Sequence, residues 1–282
     1  MTKSVKFWKM NGSGNDFIII DNRDRAVSDE NMVTLVTDTC KRRESVGADG
    51  VIFIVPSETA DFKWRFFNAD GSEAEMCGNG SRCVARFAYL NNITGSTMVF
   101  ETIAGEIMAK VSGRNVQVRM PNPTDLNLDI KISLDDIKTS HQRIGFINTG
   151  VPHVVAEVDD IENYPVVSNG RLIRRHNAFT PMGTNVNFVN IVNEHKITVR
   201  TYERGVEDET LACGTGCIAS ALVLAARGFV TSPVHAVTHG GEILSVHFSR
   251  DRGGNFLEVW FEGNTTIVYE GILHVEAMPN VF

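Results

Sequence analysis

The chain has 282 residues, of which 43% are hydrophobic and 22% charged, and a formal net charge of −7. This is the composition of an ordinary soluble protein with room for two domains, and an acidic balance without any basic stretch argues against nucleic acid as a partner. The longest small and apolar run, 217–226, is too short to span a bilayer, and residues 1–6 lack the apolar core of a signal peptide, so the expectation is a cytoplasmic protein, away from membranes, with its five cysteines reduced.

The pattern predicts a strand over 5–10, a polar turn Asn11-Gly12-Ser13-Gly14-Asn15 and a buried strand over 17–21. The turn is not the dinucleotide fingerprint, because the third glycine is missing and a strand follows. Ser28 is the expected N-cap of a helix over 29–41, with Cys40 a structural thiol near its end. Strands over 51–55 and 62–68 are expected to pair. The turn Asn68-Ala69-Asp70-Gly71 then leads into Glu75-Met76-Cys77-Gly78-Asn79-Gly80-Ser81-Arg82-Cys83. A helix over 81–91 follows, then short strands over 97–102, 105–111 and 115–119. Pro121-Asn122-Pro123 breaks regular structure and sets the expected domain boundary, with 1–122 in the first half and 123–263 in the second.

The second half repeats the plan, with strands over 143–148 and 153–158, the end of a short helix over 172–177, and strands over 185–192 and 196–203. Leu211-Ala212-Cys213-Gly214-Thr215-Gly216-Cys217 then opens a helix over 217–227. Ala219, Ala221, Leu222, Leu224, Ala225 and Ala226 leave that helix little polar face, so it is expected to be buried. Strands over 234–238, 242–248, 256–261 and 265–269 complete an antiparallel set.

Cys77 and Cys213 stand 136 positions apart. Gly47-Ala48-Asp49-Gly50-Val51-Ile52-Phe53 and Gly183-Thr184-Asn185-Val186-Asn187-Phe188-Val189 share that offset, as do Gly14-Asn15-Asp16-Phe17 and Gly150-Val151-Pro152-His153. Trp64-Arg65-Phe66-Phe67-Asn68 matches Val199-Arg200-Thr201-Tyr202-Glu203 at an offset of 135. Four blocks in one order indicate a duplicated domain. The expected fold is α+β: two pseudo-symmetric domains from an internal duplication, each an antiparallel strand-rich sheet or barrel around a central helix. The N-termini of the central helices are expected to face each other across a cleft.

Each Cys-Gly-x-Gly opens a helix, where unpaired N–H groups and the helix dipole favour negative charge. That placement predicts a lowered thiol pKa and a thiolate near neutral pH. The glycines let backbone N–H groups approach a carboxylate. Two cysteines at equivalent positions approach one ligand from opposite sides, which is what inverting a stereocentre requires: one group removes a proton and the other delivers one to the opposite face. The helix ends would stabilise the carbanion, so no external cofactor is needed. The chain has no P-loop, Rossmann fingerprint or convincing metal motif, although a Lys Schiff base to pyridoxal phosphate would leave no such mark. Cys83 and Cys217 lie at C-x5-C and C-x3-C spacings, which miss the zinc knuckle and suit helix-core packing. Arg204 is placed to pair with a substrate carboxylate or with Glu203, Glu207 or Asp208. On their own, His153 reads as a strand-start histidine, and Asn15, Asn68 and Asn185 read as turn or strand-end residues.

Over nearly its whole length the chain resembles the diaminopimelate epimerase family. The carriers are Gly14-Asn15-Asp16-Phe17, Met76-Cys77-Gly78-Asn79-Gly80, Pro152-His153, Tyr202-Glu203-Arg204-Gly205 and Ala212-Cys213-Gly214-Thr215-Gly216. The resemblance implies a cofactor-independent two-base epimerase that interconverts LL- and meso-diaminopimelate on the path to lysine and peptidoglycan. It also implies a homodimer and a C-terminal tail, 264–282, that returns to the first domain. Cys77 and Cys213 match the catalytic pair, the first usually assigned as donor and the second as acceptor in one direction. His153 and Glu203 match residues that assist them. Asn15, Asn68, Gly78, Asn79, Asn185, Glu203, Arg204, Gly214 and Thr215 match substrate-contacting positions. Val151 stands where the family often has Asn, and Gly50 where some members carry a polar side chain, which bears on the exact substrate. A racemase of another amino acid on the same scaffold, a thiol redox protein and a non-catalytic amino-acid-binding protein are the competing readings.

Overall fold

The computed structural model describes residues 4–130, 132 and 144–281. In chain order the elements are β1 (Val5–Gly12), β2 (Asn15–Asp21), α1 (Asp29–Thr39), β3 (Gly50–Val55), β4 (Phe62–Asn68), α2 (Gly78–Leu90), β5 (Thr97–Thr102), β6 (Gly105–Ser112) and β7 (Asn115–Arg119). There follow β8 (Thr124–Ile130), β9 (Ile144–Asn148), β10 (Pro152–Glu157), α3 (Val166–Arg174), β11 (Asn185–Asn193), β12 (Lys196–Glu203), β13 (Asp208–Thr210), α4 (Gly214–Ala226), β14 (Val234–Thr238), β15 (Ile243–Arg250), β16 (Phe256–Asn264) and β17 (Thr266–Leu273). The chain divides into two compact units, Met1–Val118 with Gly263–Phe282, and Arg119–Glu262.

In the first unit the strands run in the order β17-β1-β2-β3-β4-β5-β6-β7. All neighbours are antiparallel except β2–β3 and β4–β5, which are parallel. In the second unit the order is β8-β9-β10-β11-β12-β14-β15-β16, and the parallel neighbours are β10–β11 and β12–β14. The two sheets therefore repeat one succession of directions. Each is mixed where an antiparallel sheet was expected, because a strand that follows a helical crossover re-enters beside its predecessor in parallel. α1 and α2 fill the crossovers of the first unit, α3 and α4 those of the second.

The ladder registers refine the repeat. Phe17 pairs with Gly50, whereas His153, its counterpart at an offset of 136, pairs with Asn185. Gly50 is thus the counterpart of Asn185, at an offset of 135, and not of Val186 as the aligned blocks predict. A Cβ at Gly50 would stand 2.4 Å from the Phe67 carbonyl oxygen, so that position has no room for a side chain.

Phe17, Ile18, Ile19 and Ile20 of β2 are all buried, as a strand covered on both faces must be. Ile18 and Ile20 pack with Met32, Leu35 and Val36 of α1. The start of α2 comes close to the other face, where a Cβ at Gly80 would lie 3.2 Å from Ile52 and 3.6 Å from Phe17. In the second unit Val166 and Ile173 of α3 pack with Val154, Val186 and Phe188. Every residue of α4 from Gly216 to Ala225 is buried, and its Ile218, Leu222, Val223 and Leu224 each contribute about 2 kcal/mol of burial.

Some boundaries differ from expectation. α2 and α4 begin at Gly78 and Gly214, three residues earlier than 81 and 217, because Cys77 and Cys213 are themselves the N-caps. α3 lies mostly ahead of 172–177, with Pro165 at its start. The strand over 265–269 belongs to β17 and pairs with β1 of the first unit. β8 and β13 are additional strands. Arg143, the start of the expected strand over 143–148, lies outside the described residues. No helix of the described residues is long and apolar enough to cross a membrane.

Candidate active site

In the first unit, Cys77 caps α2 from extended backbone, and its Sγ accepts from the Gly80 N–H at 3.4 Å. Asn79, two residues on, is buried. Its Nδ2 donates to Asn15 Oδ1 at 2.8 Å, and Asn15 Nδ2 donates to Asp49 Oδ2 at 3.1 Å. Arg82, wholly buried one turn into α2, donates to Asn79 Oδ1 at 2.9 Å and to the Ser13 hydroxyl. Asp49 also takes Arg42 Nη2 on its other oxygen at 2.8 Å. Asn15 and Asn79 are therefore held by a chain of hydrogen bonds that begins and ends on an arginine, all of them charge-assisted except the amide–amide bond between the two asparagines. Asn68, at the end of β4, is exposed and donates to Ser72 Oγ at 3.0 Å, so its side chain is tied to its own turn.

In the second unit, Cys213 caps α4 and is 8% exposed. Its Sγ lies 3.6 Å from Thr215 Oγ1, and the Thr215 carbonyl accepts from Thr149 Oγ1 at 3.2 Å, which ties the Gly214-Thr215 turn to the end of β9. Gly214 packs under Phe261, where a Cβ would stand 2.8 Å from the ring. Burial pushes the Cys213 thiol up to about 12, and the charge of Glu203 acts in the same direction. The helix-end N–H groups of Thr215 and Gly216 pull the other way and lose. The expected low-pKa thiolate is thus corrected for Cys213: desolvation and a neighbouring carboxylate outweigh the helix terminus. Burial also pushes the Glu203 carboxyl up, so these two groups compete for one negative charge.

His153 is wholly buried at the start of β10, and burial, followed by the charge of Arg204, takes its imidazole down to about 3. At neutral pH the ring is therefore neutral and a weak base. Asn185, which pairs with His153 across the ladder, donates to the Pro152 carbonyl at 3.3 Å and accepts from the Arg204 backbone N–H at 2.8 Å. Arg204 Nη1 donates to the Met182 carbonyl at 3.2 Å. Glu207 is occupied by Arg174 at 2.8 Å, and among the described residues no carboxylate pairs with Arg204. Its half-buried guanidinium keeps donors for an outside anion.

The second unit thus gathers Cys213, Gly214, Thr215, Glu203, His153, Asn185 and Arg204, and the first gathers Cys77, Gly78, Asn79 and Asn15. The sequence reading missed Asp49, Arg82, Thr149, Thr201 and Asn187. A signal for Asn187 was present: in Asn185-Val186-Asn187 two asparagines share one face of a buried strand, where asparagine is otherwise depleted.

The family model for diaminopimelate epimerase matches residues 7–125 and 145–255. The diaminopimelate epimerase of Aquifex aeolicus (strain VF5) is 48% identical over 289 residues, covering 97% of this chain and 99% of the relative. That of Archaeoglobus fulgidus is 39% identical, covering 97% and 98%. Among solved structures, the phenazine biosynthesis protein of the PhzF family from Bacillus anthracis superposes with a TM-score of 0.72 at 16% identity, covering 96% of this chain and 99% of that one. A hydroxyproline epimerase from Agrobacterium vitis, with bound trans-4-hydroxy-L-proline, gives 0.66 at 16% identity, covering 98% and 94%. The structural likenesses concern the fold.

Proposed function

The chain belongs to the diaminopimelate epimerase family, and on that premise we propose that it inverts one α-carbon of diaminopimelate, LL to meso and back, with Cys77 and Cys213 as the two proton-transfer groups. It is an isomerase of the epimerase class. The observation that carries the cysteine mechanism is that Cys77 and Cys213 are the N-caps of α2 and α4, the helices in the equivalent parallel crossovers β4–β5 and β12–β14 of the repeated sheets.

In this reading one cysteine takes the α-proton as the other gives a proton to the opposite face. Cys213 holds its proton as the protein stands, with burial and the nearby Glu203 carboxylate both disfavouring its thiolate, so it gives its proton in one direction and, having given it, takes the α-proton in the other. Arg204, Asn185 and the N–H groups of Gly214 and Thr215 meet the substrate on the Cys213 side. Asn15, Asn68, Gly78 and Asn79 meet it on the Cys77 side. Negative charge that develops on the α-carboxylate as the proton leaves is stabilised at a helix N-terminus. No cofactor enters these steps.

The protein is proposed to work in the cytoplasm as a homodimer. In support of the dimer, β17 pairs with β1 and leaves Val268, Tyr269 and Ile272 exposed, apolar area of the kind that a second copy covers. Light scattering after size exclusion checks this.

The test is turnover by purified protein with LL-diaminopimelate and no added cofactor, resolved by chiral chromatography. Formation of the meso isomer supports the reading. Failure to convert diaminopimelate, with inversion of another amino acid from a panel, replaces the substrate. Binding without α-proton exchange replaces the enzyme by a binding protein.

A further inference from the structure

Asn187 is wholly buried on β11 and is hydrogen-bonded on every side. One end of its amide lies 2.8 Å from the Val154 carbonyl oxygen, which only accepts, so that end is the NH2 group. The other end is therefore Oδ1, and it accepts from the Thr201 hydroxyl at 2.9 Å. The same NH2 group lies 3.0 Å from Nδ1 of His153. A donor facing Nδ1 requires a lone pair there, which leaves the ring proton on Nε2.

His153 Nε2 is buried and has no hydrogen-bond partner among the described residues. A buried donor left unpaired costs about 1–3 kcal/mol. That cost falls on a residue beside Asn185 and Arg204, where an anionic acceptor is expected to enter. Asn187 also reaches the Cys213 turn. A Cβ at Gly216 would stand 2.3 Å from Asn187 Oδ1 and 3.2 Å from Cys213 Sγ, so the amide and the thiol border the same point of the first turn of α4.

We propose that Asn187 is a positioning residue that fixes His153 as a neutral ring with its proton on Nε2, so that His153 serves epimerisation as a hydrogen-bond donor to the bound amino acid's carboxylate. The inference rests on the active-site reading above. Burial and the charge of Arg204, the charged group acting on His153, both keep the ring neutral.

Long-range proton–nitrogen correlation spectra of the uniformly 15N-labelled protein test this, with His153→Gln to identify the signals. The expected pattern at neutral pH is a neutral ring protonated at Nε2, and addition of LL-diaminopimelate should move the Nε2–H signal while the tautomer stays. A ring protonated at Nδ1, or at both nitrogens, overturns the proposal. In Asn187→Leu the ring should show both tautomers and kcat should fall by about tenfold to a hundredfold, with KM changing less. In Asn187→Asp the carboxylate should draw a proton to Nδ1. A folded Asn187→Leu protein with an unchanged tautomer and unchanged kcat overturns the proposal. If neither variant folds, the spectrum of the unaltered protein still decides it. A protein that shows the Nε2–H tautomer yet never epimerises diaminopimelate sinks the functional reading and leaves the tautomer assignment standing.

Discussion

The side-chain amide of Asn79 donates to Oδ1 of Asn15 over 2.8 Å, across 64 positions of the chain. It joins a residue beside Cys77 to the first hairpin, and it locks the orientation of a group proposed to meet the substrate. Asn79→Ala removes this brace and the acceptor used by Arg82. The expected result is a fall of about tenfold in kcat/KM and a loss of about 1–3 kcal/mol in stability, since polar partners inside the first unit lose a bond. Steady-state kinetics and urea unfolding check it.

Cys213 should be a slow nucleophile at mildly alkaline pH, because burial and the charge of Glu203 hold its thiol up to about 12. Glu203→Gln removes the charge and lowers that pKa, so alkylation of Cys213 by iodoacetamide should speed up. The rate is read by mass spectrometry on the peptide that carries Cys213. A slower rate in the variant would show that the carboxylate activates the thiol instead of suppressing it.

Gly216→Ala should destabilise the second unit although alanine favours a helix by about 1 kcal/mol over glycine. The new methyl would stand 2.3 Å from Asn187 Oδ1, so the amide or the first turn of α4 must move. A net loss of about 1–3 kcal/mol is expected, with a larger fall in kcat than the stability change implies. Gly95→Ala, where a Cβ meets nothing within 4 Å, is the control.

Asp16 shows where the acid limit of the first unit arises. Burial raises its carboxyl pKa, but hydrogen bonds and charge from Arg42 and Lys9 outweigh that and hold it at about 2, below the ordinary 3.8. Lys9, 2.8 Å away, has a side chain only 6% exposed. A depressed carboxyl pKa contributes stability that is complete above about pH 3.8 and is lost as the pH falls towards about 2. Asp16→Asn should therefore lower stability at neutral pH by about 1–2 kcal/mol, discounted because Arg42 is exposed. The difference from the unaltered protein should shrink in unfolding curves taken towards pH 2.

The repeat was legible because Cys77-Gly78-x-Gly80 and Cys213-Gly214-x-Gly216 recur in one order with the strand motifs around them, and backbone geometry at a helix start leaves its mark in glycines. The mixed sheets were not, because the parallel or antiparallel sense of a strand depends on where a crossover lands and not on side-chain alternation. The register shift at Gly50 and Asn185 was hidden for a related reason: short apolar strings align equally well one residue apart, and only the ladder separates them. The two helix-capping cysteines were readable from motif, but the ionisation of Cys213 was not. A helix terminus is a local feature, whereas the burial of Cys213 and the approach of Glu203 are made by tertiary packing. Asn187, Asp49 and Arg82 escaped for the same cause, since their importance lies in partners distant in sequence.

The most direct test of the two-cysteine mechanism is the isotope content of both isomers early in a reaction run in D2O. Two bases acting on opposite faces predict that each inverted diaminopimelate carries one solvent deuterium at the α-carbon, while recovered starting isomer stays unlabelled. Inverted product that keeps its original hydrogen, returned by a single base, would contradict the account.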